Sequence, residues 1–168
     1  IVIPPEFLNL IADTLSQAEV VETQEELEAE TIAIVAFALL HEIGHALIDQ
    51  LEIPVTGREE DAVDQLATVV VTDGEEETGW IAVSAGALFG AFAANREQFE
   101  AADFWGEHSL DEQRFFNLLC WAYGADPSIY GEIADYGIGQ NRLVHCEEEF
   151  AQIRNSWESL LEPFLKTG

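Results

Sequence analysis

Residues 41–45 read His-Glu-Ile-Gly-His, and this segment contains the residue types that metal-dependent hydrolysis needs. Residues four positions apart lie on one face of a helix, so the rings of His41 and His45 can reach a single ion. Glu42 lies next to that ion without having to bind it, and it can accept a proton from a metal-activated water. The segment therefore predicts a zinc site formed by His41 and His45, with Glu42 as the general base of a peptidase.

The same two histidines have an alternative interpretation, in which both rings are core residues that hydrogen-bond to nearby carboxylates. The helix around them is otherwise apolar, and polar groups in such surroundings cost free energy unless they are satisfied. Metal coordination would satisfy both rings at once. Because the chain has only 4 histidines, a chance match to this pattern is rare, and we favour the metal site.

A catalytic zinc ion usually has three protein ligands and a water, so another ligand must come from elsewhere in the chain. The best candidates lie in residues 57–65, which read Gly-Arg-Glu-Glu-Asp-Ala-Val-Asp-Gln. A turn over residues 54–57 predicts an αα-hairpin that returns this segment to His45. Glu60 and Asp64 share a helix face, so we predict Glu60 as the third ligand and Asp64 as the acceptor of a free histidine ring N–H.

Other assignments within this acidic segment stay open. Glu59, Asp61 and Asp64 are alternative third ligands, since each also carries a carboxylate near the expected position. Acidic residues in the first turn of a helix also have a purely structural interpretation, because they interact favourably with the helix dipole. That interpretation accounts for Glu59, Glu60 and Asp61 together, but it explains Asp64 poorly, since Asp64 lies beyond the first turn.

A peptidase also needs a donor for the oxyanion that develops on the scissile carbonyl. His108 is our first candidate, because it ends the loop-like segment Trp105–His108 just before a predicted helix. Tyr123, Tyr130 and Tyr136 are weaker alternatives, since tyrosines in helical domains usually serve packing. His108 also has an interpretation without chemistry, as a residue that only flanks the start of the helix.

Together these segments resemble a bacterial family of proposed metallopeptidases whose function is otherwise unknown. The resemblance covers about residues 32–149 and consists of ordered segments at residues 40–49, 54–65, 108–115 and 120–127, followed by Arg142 and Cys146-Glu147. It implies a metal-dependent peptidase that acts on peptide or protein substrates. Members of the family often carry an export signal, which implies a secreted or periplasmic protein.

The acidic pair is also similar to the arrangement in gluzincins. In those enzymes a Glu is the third zinc ligand and an Asp orients a ligating histidine, which implies these roles for Glu60 and Asp64. The separation between His45 and Glu60 is shorter here than gluzincins usually show, so a tight hairpin is needed.

The elements that position these residues are predicted to be helices. Apolar periodicity and turn residues predict six of them, over about residues 5–18, 24–51, 56–70, 80–99, 110–123 and 141–165. Capping boxes are expected at Thr23, Thr56 and Ser109. The second half of the second helix is apolar on nearly every face, which is typical of a buried central helix. We therefore predict an all-α fold, with residues 1–168 forming one domain around this helix.

The chain carries 33 acidic and 6 basic residues, which give a formal net charge of −27. Such a surface repels phosphate groups, so the sequence argues against nucleic acid and anionic membrane surfaces as partners. No apolar run reaches the ~18 residues that a membrane span needs, so we expect no span. The strong like charge also predicts a monomer whose stability rises with ionic strength.

The two cysteines, Cys120 and Cys146, are too few for a thiolate zinc site. They permit one disulfide, which we favour over two buried free thiols.

Two functions of different classes fit these observations. One is a zinc peptidase, and the other is a non-catalytic metal-binding or scaffold protein with an acidic surface. Glu42 favours the peptidase, because metal binding alone does not need it. A third interpretation, an acidic surface that binds calcium, has less support, since the spacing of an EF-hand loop is absent.

Overall fold

The computed structural model describes residues 1–74 and 78–165. These residues contain no strand and form seven α-helices: α1 (Pro5–Gln17), α2 (Gln24–Leu51), α3 (Glu59–Thr72), α4 (Trp80–Ala94), α5 (Ala101–Trp105), α6 (Asp111–Ala125) and α7 (Gln140–Leu161). Two short 3-10 helices, Gly131–Tyr136 and Glu162–Phe164, flank α7. The predicted all-α fold, a single compact helical domain, is confirmed.

The long helix α2 begins and ends at the predicted residues. Thr23 Oγ1 accepts a hydrogen bond from the Glu26 backbone N–H (3.2 Å), and the Glu26 carboxylate accepts one from the Thr23 N–H (3.2 Å). This capping box satisfies amide groups that have no partner within the first helical turn. At the other end, Glu52 adopts a left-handed backbone conformation (φ 54°), and the chain turns toward α3.

Helix α2 packs against α1, α3 and α4, so it is central to the fold. Its buried residues form one stripe along the helix: Ile34, Phe37, His41, Gly44 and Ile48. Ile32 is 70% exposed and Leu39 is 39% exposed, so the helix is buried along one face and not all round as its apolar sequence suggests. The histidine segment therefore presents one side to the core and another to solvent.

By length and composition alone, α2 also qualifies as a helix that could cross a membrane, and it is the one such helix among the described residues. This is weak evidence, because the core helix of a soluble protein meets the same criteria. The expectation that the chain has no membrane span stays a prediction.

The capping boxes predicted at Thr56 and Ser109 are wrong. Helix α3 begins without a side-chain cap, and the Glu59 carboxylate that was expected to complete the box lies against His45 (2.8 Å). The Ser109 hydroxyl does not cap helix α6, because it donates to Asp61 (2.9 Å). In both cases a side chain that the local sequence predicts for the capping box makes a hydrogen bond to another helix instead.

Helix boundaries differ most from the prediction after α4. This helix ends at Ala94 and not near Phe99, and the chain then forms the short helix α5, which the sequence does not predict. Arg96 explains the early end, because its guanidinium pairs with Asp111 (2.6 Å) and Glu112 (3.2 Å) at the start of α6.

Helix α6 connects the two sides of the core, since it packs against both α4 and α7. The approach to α7 is close at Gly124, where a Cβ atom would overlap the Cys146 carbonyl oxygen. Next to this contact, Cys120 and Cys146 form a disulfide with a Cα–Cα distance of 5.2 Å, as predicted.

Candidate metal centre

Helices α2 and α3 form the expected helical hairpin and pack against each other. Gly44 on α2 lies against the fully buried Val63 on α3, so the two helices approach closely. This contact brings the first turns of α3 beside the histidine segment of α2. The acidic residues that follow the turn therefore lie within reach of both rings.

Three side-chain atoms from this hairpin converge. His41 Nε2 lies 3.3 Å from His45 Nε2 and 3.2 Å from Glu60 Oε2. His45 Nε2 lies 3.5 Å from the same Glu60 oxygen. A third ring approaches from the connection between α5 and α6, with His108 Nε2 2.8 Å from Glu60 Oε2. His41, Glu60 and His108 each offer a donor atom within 4.8 Å of the other two, as the ligands of one metal ion would.

The donor atoms fit a zinc ion. With bonds of about 2.0–2.1 Å, a tetrahedral ion holds its ligand atoms roughly 3.3–3.4 Å apart. The separations among His41, His45 and Glu60 are 3.2, 3.3 and 3.5 Å, which are close to that spacing. Glu60 Oε2 is also buried, and it makes no hydrogen bond to the residues that the structure describes. A buried carboxylate oxygen without a partner is costly, and a cation would satisfy it.

Asp64 supports His41 from the opposite side of the ring. Its carboxylate is almost fully buried and accepts a hydrogen bond from His41 Nδ1 (2.8 Å). Arg114 on α6 donates two more hydrogen bonds to the same carboxylate, each 2.8 Å long. Burial raises the pKa of Asp64, but the hydrogen bonds from His41 and Arg114 outweigh it and hold the pKa below the ordinary value. An ionised Asp64 keeps the His41 proton on Nδ1, so the Nε2 lone pair faces Glu60.

His45 has a similar partner in Glu59, whose Oε1 lies 2.8 Å from His45 Nδ1. Burial lowers the pKa of His45, but the hydrogen bond to Glu59 and the negative charges of Glu60, Glu59 and Glu42 outweigh it and raise the pKa above the ordinary value. The Glu59 side chain is 47% exposed, so this pair is more solvated than the buried pair of His41 and Asp64.

Glu42 lies on the exposed side of α2, beside His41 in the chain. Its charge contributes to the raised pKa of His45, so the carboxylate lies within electrostatic range of that ring. Glu42 is not one of the three groups whose donor atoms cluster. A carboxylate that is near the cluster but outside it can hold a proton without occupying a ligand position.

The backbone around His108 is attached to the start of α3. The His108 carbonyl oxygen accepts a hydrogen bond from the Arg58 guanidinium, and the next residue, Ser109, donates to Asp61. Both anchors lie within three residues of Glu60 in the chain. The position of His108 is therefore coupled to the helix that carries the Glu60 carboxylate.

An apolar cavity of about 170 Å³ lies behind His41, between α1, α2, α4 and α6. Phe37 and Phe89 contribute to its lining, and the Arg114 guanidinium lies 3.8 Å from the centre of the Phe89 ring. Apolar surroundings strengthen the hydrogen bonds of a charged network, so this cavity favours the paired form of Asp64 and Arg114.

The remaining sequence candidates are not among the clustered donors of the described residues. Asp61, an alternative ligand, accepts the hydrogen bond from Ser109. Tyr130 packs against Trp80 in the core, with ring centres 5.4 Å apart, and Tyr136 is an exposed residue of the 3-10 helix before α7.

The sequence did not identify two partners within the site. One is Asp64 as the partner of Arg114, which was expected only to pair with some buried or half-buried acid, and the other is Glu60 as the carboxylate that His108 approaches. The only available signals were compositional: basic residues and histidines are both scarce in this chain, so each of them is a candidate for a specific contact.

A family model described as “Putative metallopeptidase” matches residues 1–161, which is nearly the whole chain. No curated protein and no solved structure matches the chain. The family match concerns the class of the protein and carries no assignment of individual residues.

Proposed function

The chain belongs to the “Putative metallopeptidase” family, and on that premise we propose that it is a zinc-dependent peptidase acting on peptide or protein substrates. The observation that carries the proposal is the convergence of His41 Nε2, His45 Nε2 and Glu60 Oε2 at separations of 3.2 to 3.5 Å. We assign these three side chains as the metal ligands. With Asp64 behind His41, the set is similar to that of gluzincins.

The chemistry divides between the metal and the side chains around it. When bound, a zinc ion would polarise the scissile carbonyl and lower the pKa of a water towards ~7. Glu42 would accept the proton of the attacking water and pass it to the leaving amine. This role needs an exposed carboxylate that is not itself a metal ligand. Asp64 would hold the His41 ring in the tautomer that leaves Nε2 free to bind.

His108 would donate a hydrogen bond to the oxyanion that develops on the substrate carbonyl. Its ring lies at the edge of the donor cluster, 2.8 Å from Glu60 Oε2, and its side chain is 54% exposed. A substrate that reaches the cluster from solvent would therefore pass beside this ring.

We propose that the protein is secreted or periplasmic and that it is a monomer. Disulfides persist in oxidising compartments, and the bridge between Cys120 and Cys146 suits such a location. The net charge of −27 opposes self-association.

A non-catalytic metal-binding or scaffold protein is the second candidate. The observation that favours it is the presence of His108 as a further donor beside His41 and Glu60, because zinc sites with four protein ligands are usually structural. Glu42 would then have no task in the site.

Casein hydrolysis by the wild type and by Glu42→Gln, each with its zinc content measured, tests the proposed function. We expect both proteins to hold one zinc ion and Glu42→Gln to lose at least about 100-fold in rate, since general base catalysis contributes roughly that much or more. Asp49→Asn is the matched control, because Asp49 is an exposed acid on the same helix and hydrogen-bonds to Gln50.

Each negative result has a separate meaning. Equal rates for wild type and Glu42→Gln would remove Glu42 as the base. A wild type that binds zinc but hydrolyses neither casein nor a mixture of short peptides would favour the scaffold protein. A wild type that binds no zinc would refute the site itself.

A further inference from the structure

His108 is a third nitrogen donor, and a fourth donor in all, at a centre that needs only three protein ligands for catalysis. Its Nε2 atom lies 2.8 Å from Glu60 Oε2, and His108, Glu60 and His41 have donor atoms within 4.8 Å of one another. We propose that His108 is a displaceable fourth metal ligand, which completes the coordination shell in the resting protein and leaves it when substrate binds. The inference rests on the proposed function, because it assumes the metal site of His41, His45 and Glu60.

Two hydrogen bonds hold the chain segment that carries His108 next to the metal centre. Arg58 donates to the His108 carbonyl oxygen, and Ser109 donates to Asp61. Both contacts attach this segment to the first turn of α3, next to Glu60. A segment held in this way loses little backbone freedom when its ring binds a metal, which favours coordination.

The exposure of the three rings indicates which ligand can leave. The side chains of His41 and His45 are 9% and 26% exposed, whereas that of His108 is 54% exposed. His41 and His45 also use their Nδ1 atoms to bind Asp64 and Glu59. Rotation of the His108 side chain disturbs less packing than movement of either helix-borne ring, so His108 is the ligand that can be replaced.

Displacement gives His108 two successive positions. In the resting protein it fills the coordination position that substrate or water needs, so the centre is closed like a structural zinc site. After substrate takes that position, the backbone tether keeps the ring close by, where its N–H can reach the developing oxyanion. The same residue then accounts for both the extra donor beside His41 and Glu60 and the oxyanion donor.

Metal binding by His108→Ala and His108→Gln tests the coordination step. Zinc dissociation constants come from competition with a chromophoric chelator, and the absorption spectrum of the Co²⁺-loaded protein reports the ligand set. We expect both variants to bind zinc at least about tenfold more weakly than wild type and to show a changed Co²⁺ spectrum. Gln retains a hydrogen-bond donor, so a residue that serves only the oxyanion would leave both readouts of the Gln variant unchanged.

The control is His145→Ala, which removes an exposed histidine of α7 and should change neither readout. Circular dichroism of each variant checks that the fold is retained. Unchanged zinc affinity and spectrum in both His108 variants would overturn the inference while leaving the proposed function intact. In contrast, wild-type zinc affinity in His41→Ala would refute the metal site and both proposals with it.

Acetohydroxamate, a small chelating ligand, tests the displacement step on the Co²⁺-loaded proteins. It should bind more tightly to His108→Ala than to wild type, because the variant has no ring to displace. Equal or weaker binding to the variant would show that His108 does not occupy the position that substrate takes.

Discussion

Gly44 and Val63 touch so closely that a Cβ atom on Gly44 would lie 2.8 Å from Val63 Cγ1 and 2.9 Å from Val63 Cβ. Val63 is fully buried, and both contacting atoms are close to its backbone, so rotation of the side chain cannot relieve the contact. The glycine of the His-Glu-Ile-Gly-His segment therefore sets the distance between α2 and α3, and with it the distance from His41 to Glu60.

Gly44→Ala should move α3 away from α2 and weaken the metal centre. Overpacking of this kind costs about 1–3 kcal/mol, and the better helix propensity of alanine offsets roughly 1 kcal/mol of it. We expect a net loss of stability of up to about 2 kcal/mol and about 10- to 100-fold weaker zinc binding, by analogy with the loss of a residue that orients a ligand. Denaturant unfolding and chelator competition measure the two effects.

Gly57→Ala is the control for this change. Gly57 lies in the same hairpin, and a Cβ there would meet no atom within 4 Å, so stability and zinc affinity should stay close to wild type. If Gly44→Ala behaved like Gly57→Ala, the close packing of the hairpin would have no role in forming the site.

Asp64→Asn should be among the most damaging changes to a single side chain. The substitution leaves the largely buried Arg114 guanidinium without its anionic partner, and the amide keeps only one acceptor oxygen for the hydrogen bonds that His41 and Arg114 donate to the carboxylate. Breaking a buried ion pair in this way costs roughly 3–5 kcal/mol, and a weaker partner for His41 reduces metal affinity roughly 10- to 100-fold. Denaturant unfolding of the apoprotein separates the first effect from the second.

The comparison is Asp73→Asn, which removes a solvent-exposed partner of Arg154 at 3.3 Å. Solvent screens this pair, so its loss should cost at most about 1 kcal/mol and leave zinc affinity unchanged. A similar cost for the two variants would mean that the buried position of Asp64 does not matter.

Features of the fold that depend on local interactions were predictable from the sequence. Helix α2 was located correctly because Thr23 and Glu26 are close in the chain and, among the residues that the structure describes, hydrogen-bond locally and not to another helix. The caps at Thr56 and Ser109 follow the same local rule, but there Glu59 and Ser109 bind residues of other helices. Local propensity fails where a tertiary hydrogen bond is available to the same side chain.

The candidate site also contains residues that local geometry places and residues that only tertiary packing places. The spacing of His41 and His45 follows from helix geometry, and a short turn is enough to bring Glu60 beside them. Arg114 and His108 come from a different part of the chain, and only the packing of α6 against α3 brings them to the centre. No periodicity in the sequence encodes that contact, so their partners could not be read from it.

Glu149 should make the stability of the protein depend on pH in the acidic range. Its carboxylate accepts hydrogen bonds from Trp121 Nε1 (2.7 Å) and from the Arg142 guanidinium (2.6 and 2.9 Å). Burial raises the pKa of Glu149, but the hydrogen bonds from Arg142 and Trp121 outweigh it and lower the pKa below the ordinary value. The folded state therefore favours the ionised form, whose contribution is complete above the unfolded-state pKa and disappears as the pH falls through the folded-state pKa.

Glu149→Gln provides the measurement. The difference in unfolding free energy between wild type and this variant should be constant above about pH 5 and should shrink at lower pH. Glu148→Gln changes an exposed neighbour and should show little difference at any pH. A wild-type advantage that grew on acidification would have the wrong sign for a lowered pKa.

The net charge of −27 should make the protein more stable in salt. At 0.1 M ionic strength charges interact over about 10 Å, whereas at 1 M the range falls to about 3 Å, so repulsion among the acidic side chains weakens. Only 6 basic residues are present to form ion pairs, and salt therefore removes more repulsion than attraction. We expect the thermal midpoint to rise from low to high NaCl, and a midpoint that stays flat or falls would show that the acidic surface does not limit stability.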